Sequence, residues 1–251
     1  MPPTKPIIVI TGANQGIGFA TAQSFAKSDK YHLLIGARSQ SKADDAVKQL
    51  STLSTSITPL VIDISDDTSI SAAATAVRKN FGHIDILINN AGINGYPDDP
   101  NLTIRERYAK VYNVNVFGTA SVTASFLPLL RASSYHDRRI VNVTSSLGHI
   151  GVALSPISVF NLDNWELPIY RSSKSALNMI TAVDGYKLKD EGISVLLATP
   201  GFTRTNFTAG QGDKDADEAA RQIVRAAVEV DPIEFRGRLV DDEGTLEEFG
   251  W

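Results

Sequence analysis

Hydrophobic residues occur along this chain in short uninterrupted runs, and longer stretches with helical periodicity separate one run from the next. Runs that are continuous rather than alternating are typical of strands buried on both faces of a parallel sheet. The pattern predicts seven strands, at Ile7–Ile10, Leu33–Ile35, Leu60–Ile64, Ile84–Ile88, Ile140–Val143, Ile193–Ala198 and Gly237–Val240.

The stretches between the runs predict amphipathic helices. From Ile70 to Phe81, and again from Ala216 to Ala227, apolar residues recur at intervals of three or four after acidic residues. Strands that alternate with six helices predict right-handed βαβ units, and hence an α/β fold with a doubly wound parallel sheet. No repeat or linker divides residues 1–251, so we interpret them as one domain, with ligands bound beyond the carboxyl ends of the strands.

Composition excludes several functional classes. The 251 residues carry a formal net charge of −4, which argues against nucleic acid or an anionic membrane as the main partner. The absence of cysteine excludes disulfide scaffolds, thiolate metal sites and cysteine nucleophiles. The four histidines lack the spacing of metal ligands, so no metal is expected. No apolar run has the length of a signal peptide or a membrane span, so we expect a cytoplasmic protein.

The first predicted strand runs directly into a glycine-rich turn from Thr11 to Gly18, with glycines at positions 12, 16 and 18. Such glycines allow a tight turn and bring backbone amides at a helix N-terminus close to an anion. No Gly-Lys-Ser/Thr follows, so the turn is not a P-loop. A glycine-rich connector without a ligand is the alternative, which the position directly after the first strand disfavours.

The end of the second strand bears on the choice of cofactor. A site for NAD usually has a carboxylate there for the ribose hydroxyls, whereas a 2′-phosphate needs a cation. This chain has no acid at that place and has Arg38, whose guanidinium can bind a phosphate through two hydrogen bonds. The position therefore favours NADP(H), with a solvated surface arginine as the alternative.

Tyr170 and Lys174 stand four residues apart and so share one face of a helix, which we expect to begin at Pro168 and to run to about Asp190. A phenol has an ordinary pKa of about 10, which makes it a poor acid–base group at neutral pH unless a nearby cation favours the phenolate. Lys174 is the candidate for that cation.

At these residues the chain resembles the short-chain dehydrogenase/reductases, with the pattern of their NADPH-dependent carbonyl reductase subgroup. The resemblance covers essentially the whole length and implies a Rossmann-type fold. Its motifs follow in order: Thr11-Gly12-x-x-x-Gly16-Ile17-Gly18, Asp63, Asn89-Asn90-Ala91-Gly92, Asn115, Ser146 as the second serine of Thr144-Ser145-Ser146, Tyr170-x-x-x-Lys174, and Pro200-Gly201-x-x-x-Thr205.

The resemblance also implies a role for each catalytic residue. Tyr170 donates a proton to the carbonyl oxygen as NADPH delivers a hydride to the carbon. Lys174 lowers the pKa of the tyrosine and hydrogen-bonds the nicotinamide ribose. Ser146 orients and polarises the carbonyl, and Asn115 helps to hold a water through which Tyr170 is reprotonated. The implied cofactor-binding set is Gly12, Asn14, Gln15, Gly16, Ile17, Gly18, Arg38, Asp63, Ile64, Asn90, Ala91, Gly92, Tyr170, Lys174, Pro200, Gly201, Thr203 and Thr205.

The gap between Ser146 and Tyr170 is 24 residues, about twice the spacing common in the family. The extra segment, roughly residues 149–167, is similar to the inserts of the monomeric carbonyl reductases. We therefore expect a monomer, with a homodimer as the alternative. Phe160 and Trp165 within it either form an apolar wall over the substrate or merely pack the insert onto the domain.

The sequence thus predicts an NADPH-dependent oxidoreductase that reduces a small ketone or aldehyde. An NADP-dependent alcohol dehydrogenase that works in the oxidising direction is the first alternative. A non-catalytic NADP-binding regulator is the second, and it is disfavoured because the Ser–Tyr–Lys set is complete.

Overall fold

Seven parallel strands form one sheet in the computed structural model, which describes residues 5–95, 99–241 and 250. The strands are β1 Ile7–Ile10, β2 His32–Ala37, β3 Ile57–Val61, β4 Ile86–Asn89, β5 Arg138–Val143, β6 Ile193–Ala198 and β7 Leu239–Val240. Their order across the sheet is β3-β2-β1-β4-β5-β6-β7, so the direction of winding reverses between β1 and β4. The predicted doubly wound parallel sheet is confirmed.

Helices cover both faces of the sheet because alternate strand residues point to opposite sides. The helices are α1 Gly16–Ser28, α2 Gln40–Leu50, α3 Asp67–Phe81, α4 Ile104–Tyr112, α5 Thr119–Arg131, α6 Ile150–Leu154, α7 Pro168–Leu188 and α8 Ala216–Val228. Val9 packs with α3, α5 and α7, whereas its neighbours Ile8 and Ile10 pack with α1, α2 and α8.

The strand β3 differs most from its prediction, since it lies at residues 57–61 rather than 60–64. It is an edge strand and contains Pro59, which has no N–H to donate and is tolerated at an edge. Ile62 and Ile64 come after the strand and are buried as the chain turns towards the carboxyl edge of the sheet. The apolar run from Leu60 to Ile64, which predicted the strand, therefore includes the end of β3 and the turn that follows it.

The connection from β4 to β5 is one helical crossover in two parts. A π-helical stretch, Asn113–Gly118, joins α4 to α5, and such wide turns often occur at functional sites. The sequence predicted six helices, whereas the described residues form eight α-helices, because this crossover is divided and the insert adds α6.

The insert lies between β5 and α7. A 3₁₀ turn, Ser146–Gly148, is followed by α6 and then by turns that lead to Pro168, which occupies the first turn of α7 as predicted. The helix ends at Leu188, and Gly192, at φ 67°, lies just beyond a final 3₁₀ turn. In the described part of the chain, no helix has both the length and the apolar character needed to cross a membrane.

Candidate active site

A cleft of about 1140 Å³ opens beyond the carboxyl ends of the strands, where the winding of the sheet reverses. It extends from the glycine turn after β1, past the ends of β2 and β4, to the loop after β6. Every residue of the implied cofactor-binding set lines this cleft, and so do Ser146, Tyr170 and Lys174 of the catalytic set. Asn115 lies behind the lining rather than in it.

The turn from Thr11 to Gly18 requires glycine, both for its backbone angles and for its close packing. Gly12 and Gly16 have φ values of 64° and 56°, in the left-handed region that favours glycine. A Cβ on Gly18 would lie 2.3 Å from the Asn90 side-chain nitrogen and 2.5 Å from the Gly12 carbonyl oxygen. The turn therefore brings bare backbone to the floor of the cleft at the N-terminus of α1.

Thr11 and Asn90 fix this turn to the end of β4. The Thr11 hydroxyl accepts hydrogen bonds from the backbone N–H groups of Asn90 (3.0 Å) and Ala91 (3.1 Å). The Asn90 side-chain amide donates to the carbonyls of Thr11 (2.9 Å) and Gly12 (3.2 Å). Asn90 lines the cleft, but its amide donors serve the turn, so its observed contacts are those of a positioning residue.

Two cations and one carboxylate stand where the adenosine end of a dinucleotide would lie. Arg38 follows β2 and is exposed at the rim of the cleft, and Lys42 in the first turns of α2 lines the same region. Burial raises the pKa of Asp63, but hydrogen bonds from Ser65 and the charge of Arg38 outweigh it and hold the pKa below its usual value. The sequence analysis did not identify Lys42. Its only signal in the sequence is that it is a second cation, four residues after Arg38, in the helix that follows.

Tyr170 and Lys174 are buried side by side on α7, with 8% and 5% of their surfaces exposed. The Lys174 ammonium donates a 2.9 Å hydrogen bond to the Val143 carbonyl and lies 5.8 Å from the centroid of the tyrosine ring. Burial raises the pKa of Tyr170 to about 12 and lowers that of Lys174 to about 8. The expected depression of the phenol pKa by Lys174 is not found, because burial dominates both groups.

The hydroxyl that meets Tyr170 belongs to Ser145 rather than to Ser146. The Ser145 side chain hydrogen-bonds the Tyr170 hydroxyl, which opposes the burial-driven rise of the tyrosine pKa. It also accepts a 3.2 Å hydrogen bond from the Leu147 N–H. Ser146 begins the 3₁₀ turn and is 7% exposed. The sequence predicts Ser146 as the catalytic serine, whereas the serine hydroxyl that contacts Tyr170 is that of Ser145.

Asn115 sits in the π-helical stretch and is 1% exposed. Its side-chain amide donates to the carbonyl of Ile93 (2.8 Å) and to the hydroxyl of Ser173 (3.1 Å), and its carbonyl accepts from the Ile93 N–H (2.9 Å). The residue therefore joins the loop after β4 to the catalytic helix, next to Tyr170, whose carbonyl accepts from Ser173.

Four aromatic side chains, which we call the aromatic wall, line the cleft beside Tyr170: Phe160, Trp165, Phe202 and Phe207. Phe160 and Trp165 of the insert meet Phe202 edge to face, with ring centroids 6.2 and 5.4 Å apart. The ring of Phe207 lies 5.7 Å from that of Tyr170. The sequence interpretation missed Phe202 and Phe207, because they lie in a loop without regular spacing.

These residues fit a nicotinamide dinucleotide. The cleft has bare glycine backbone at a helix N-terminus for the diphosphate, and its lining includes both the cations Arg38 and Lys42 and the tyrosine–lysine pair. Within the described residues, no cluster of three or more His, Cys, Asp or Glu side chains is arranged to hold a metal ion.

Known proteins with similar sequences and folds agree with this geometry. The family model of the short chain dehydrogenases matches residues 6–216. The short-chain dehydrogenase anuI of Penicillium roqueforti (strain FM164) is 64% identical over 249 residues, which cover 99% of this chain and 98% of that protein. An NADP-dependent 3-hydroxy acid dehydrogenase of Schizosaccharomyces pombe is 33% identical over 214 residues, covering 82% of this chain and 76% of the relative. The solved NADPH-bound carbonyl reductase from chicken fatty liver shares the fold, with a TM-score of 0.80, 24% identity, and coverage of 94% of this chain and 96% of that one.

Proposed function

The chain belongs to the short-chain dehydrogenase family of oxidoreductases, and from this premise we propose that it reduces a ketone or an aldehyde with NADPH. The observation that carries the proposal is that Ser145, Tyr170 and Lys174 lie together in the lining of the cleft. The 3-hydroxy acid dehydrogenase relative, which is NADP-dependent by name, supports the cofactor.

The chain's own residues supply what a hydride transfer to a carbonyl requires. When bound, NADPH provides the hydride for the carbonyl carbon, so the protein must deliver one proton to the oxygen. Tyr170 is the donor, since a pKa of about 12 keeps its hydroxyl protonated at neutral pH. The Ser145 hydroxyl, which already meets that of Tyr170, donates a second hydrogen bond to the same oxygen as negative charge develops there.

Lys174 acts on the phenolate that remains. With a pKa of about 8, its amine carries a proton at pH 7, and the charge lies 5.8 Å from the tyrosine ring. A cation at that place favours the charged form of the tyrosine as its proton leaves. We also assign Asn115 a positioning role, because both of its side-chain N–H groups are bound to Ile93 and Ser173.

The experiment that tests the function follows the loss of reduced-nicotinamide absorbance with a panel of ketones, aldehydes and quinones. Turnover with NADPH supports carbonyl reduction. Turnover found only with NADP⁺ and alcohols supports the oxidising direction instead. Binding of NADPH without turnover in either direction supports a non-catalytic regulator and contradicts the proposal.

Replacement of Arg38 by alanine is expected to raise the KM for NADPH by about 10- to 150-fold, because a charge-assisted hydrogen bond to phosphate contributes roughly 1.5–3 kcal/mol. The KM for NADH, which lacks the 2′-phosphate, is expected to stay unchanged. Arg78→Ala on α3 is the matched control, since Arg78 is exposed and does not line the cleft. Equal losses for the two cofactors would contradict a phosphate-binding role for Arg38.

We propose a monomer, since the insert is hydrogen-bonded to the first turn of α7 through the Arg171 side chain and so occupies the surface there. Sedimentation at working concentration is expected to give a mass near 27.1 kDa. Met179, Val183 and Tyr186 form an exposed apolar stripe on the second half of α7, and this stripe is the surface to substitute if twice that mass is found. The cytoplasmic location stays a prediction from the sequence.

A further inference from the structure

Arg171, the residue directly after Tyr170, has a charged group in an unusual environment. The residue is only 6% exposed, and no carboxylate in the described part of the chain pairs with its guanidinium. Burial of a charge is costly unless hydrogen bonds compensate it. Burial also lowers the pKa of Arg171 from its ordinary value. The hydrogen bonds that the guanidinium makes must therefore compensate for the burial of its charge.

Those contacts are three backbone carbonyls of the segment that connects β5 to α7. The guanidinium donates to Trp165 O through Nε (2.9 Å), to Leu147 O through Nη1 (3.3 Å), and to Phe160 O through Nη2. Leu147 lies in the 3₁₀ turn before the insert, whereas Phe160 and Trp165 lie within the insert. One side chain of the catalytic helix thus holds both ends of this segment.

Two of the three carbonyls belong to residues of the aromatic wall. The rings of Phe160 and Trp165 both pack edge to face on Phe202, at 6.2 and 5.4 Å. Because the backbones of both residues are tied to Arg171, the positions of their rings relative to Tyr170 depend on that guanidinium. A wall of rings favours contact with another flat ring, either edge to face or stacked.

The junction between the insert and α7 is also strained. Leu167, the residue before the helix, has φ 37°, in the left-handed region that is unfavourable for leucine. Its carbonyl accepts a 2.9 Å hydrogen bond from the Arg171 N–H, and its neighbour Trp165 is bound by the Arg171 side chain. Such a conformation persists when the surrounding contacts enforce it.

We propose that Arg171 is a positioning residue for substrate binding, which holds Phe160 and Trp165 in the aromatic wall so that a carbonyl compound with a planar ring is bound against Tyr170. The proposal rests on the proposed function. It assigns to Arg171 an effect on the carbonyl substrate and none on NADPH, because the segment that it holds lies at the substrate end of the cleft.

The test uses the fluorescence of Trp165. The chain has two tryptophans, so Trp251→Phe leaves Trp165 as the sole reporter of the wall. Arg171→Met removes all three donors at similar length, and Arg171→Lys keeps the charge but gives up the planar fork. Arg221→Met, at an exposed arginine on α8, is the matched control. Trp165→Ala serves as the reference for loss of the wall.

In Arg171→Met, acrylamide is expected to quench Trp165 more readily than in the parent. The KM for a ring-bearing ketone is expected to rise about tenfold, with less change for a straight-chain ketone and with kcat altered by less than about threefold. The Kd for NADPH is expected to stay unchanged. Arg171→Lys should fall between parent and Arg171→Met, and Trp165→Ala should show the same rise in KM.

Unchanged quenching together with an unchanged KM in a folded Arg171→Met protein would overturn the proposal. A loss of NADPH affinity equal to the loss of turnover would also overturn it, because general damage to the fold predicts that result. If Arg171→Met does not fold, Arg171→Lys is judged by the same measurements. A parent enzyme that turns over no carbonyl contradicts the proposed function alone, since the quenching experiment still tests whether Arg171 holds Trp165.

Discussion

Tyr170→Phe is expected to lower kcat for carbonyl reduction by about 10²–10⁴-fold, the usual contribution of a general acid. The change removes one oxygen and keeps the ring, whose edge-to-face contact with Phe207 at 5.7 Å preserves the local packing. The Ser145 hydroxyl is a much weaker acid than a phenol, and the Lys174 ammonium, which donates to the Val143 carbonyl, is not hydrogen-bonded to the tyrosine hydroxyl in any contact of the described residues. The measurement is the rate of NADPH oxidation at saturating ketone.

Tyr186→Phe provides a matched control for this prediction. Tyr186 lies on the same helix, is 70% exposed, and loses the same hydroxyl. Its variant is expected to retain both the parent rate and the parent Kd for NADPH. A Tyr170→Phe enzyme that keeps its rate within about threefold would show that the proton comes from another donor.

The parts of the fold that follow from periodicity were predictable. β1 and β6 lie at the predicted residues, because both are central strands with continuous apolar sequence and burial on both sides. β3 was displaced because an edge strand is only half buried, so its apolar residues do not mark its ends. The π-helical stretch around Asn115 has no periodicity of its own and was not predicted.

The residues of the candidate site were predictable where the backbone conformation or the chemistry requires one particular residue type. The glycine turn needs left-handed φ values at two positions, and the Tyr170–Lys174 pair follows from helical spacing. The pKa values did not follow, because the expectation considered the charge of Lys174 and not the burial of both groups. The contacts of Arg171 depend on how the insert folds back on α7, which no local pattern encodes.

The serines after β5 show why local sequence does not determine which side chain faces the cleft. Three hydroxyl residues in a row follow β5, and each has a different environment. The Thr144 hydroxyl donates to the side-chain carbonyl of Asn178 (2.6 Å), Ser145 meets Tyr170, and Ser146 enters the 3₁₀ turn. Strand alternation ends at Val143, so the sequence does not determine which hydroxyl faces the cleft.

Because the two adjacent serines have different environments, replacing each one in turn compares their contributions to catalysis directly. Ser145→Ala is expected to lower kcat by about 10²–10³-fold, because removal of one donor that stabilises a developing oxyanion has an effect of that size. Ser146→Ala is expected to keep kcat within about threefold, since its side chain is not the one that meets Tyr170. Both rates are measured with NADPH and the best ketone of the panel, and thermal unfolding of each variant checks that the fold is kept.

The reverse ranking, with Ser146→Ala as the impaired enzyme, would return the carbonyl-polarising role to Ser146. A loss shared equally by the two variants would point to the 3₁₀ turn rather than to either hydroxyl, because Ser145 also accepts from the Leu147 N–H and both residues shape that turn. Ser145→Thr separates these outcomes further. It keeps the hydroxyl for Tyr170 and for the turn, so it should recover much of the rate if the hydroxyl of residue 145 polarises the carbonyl.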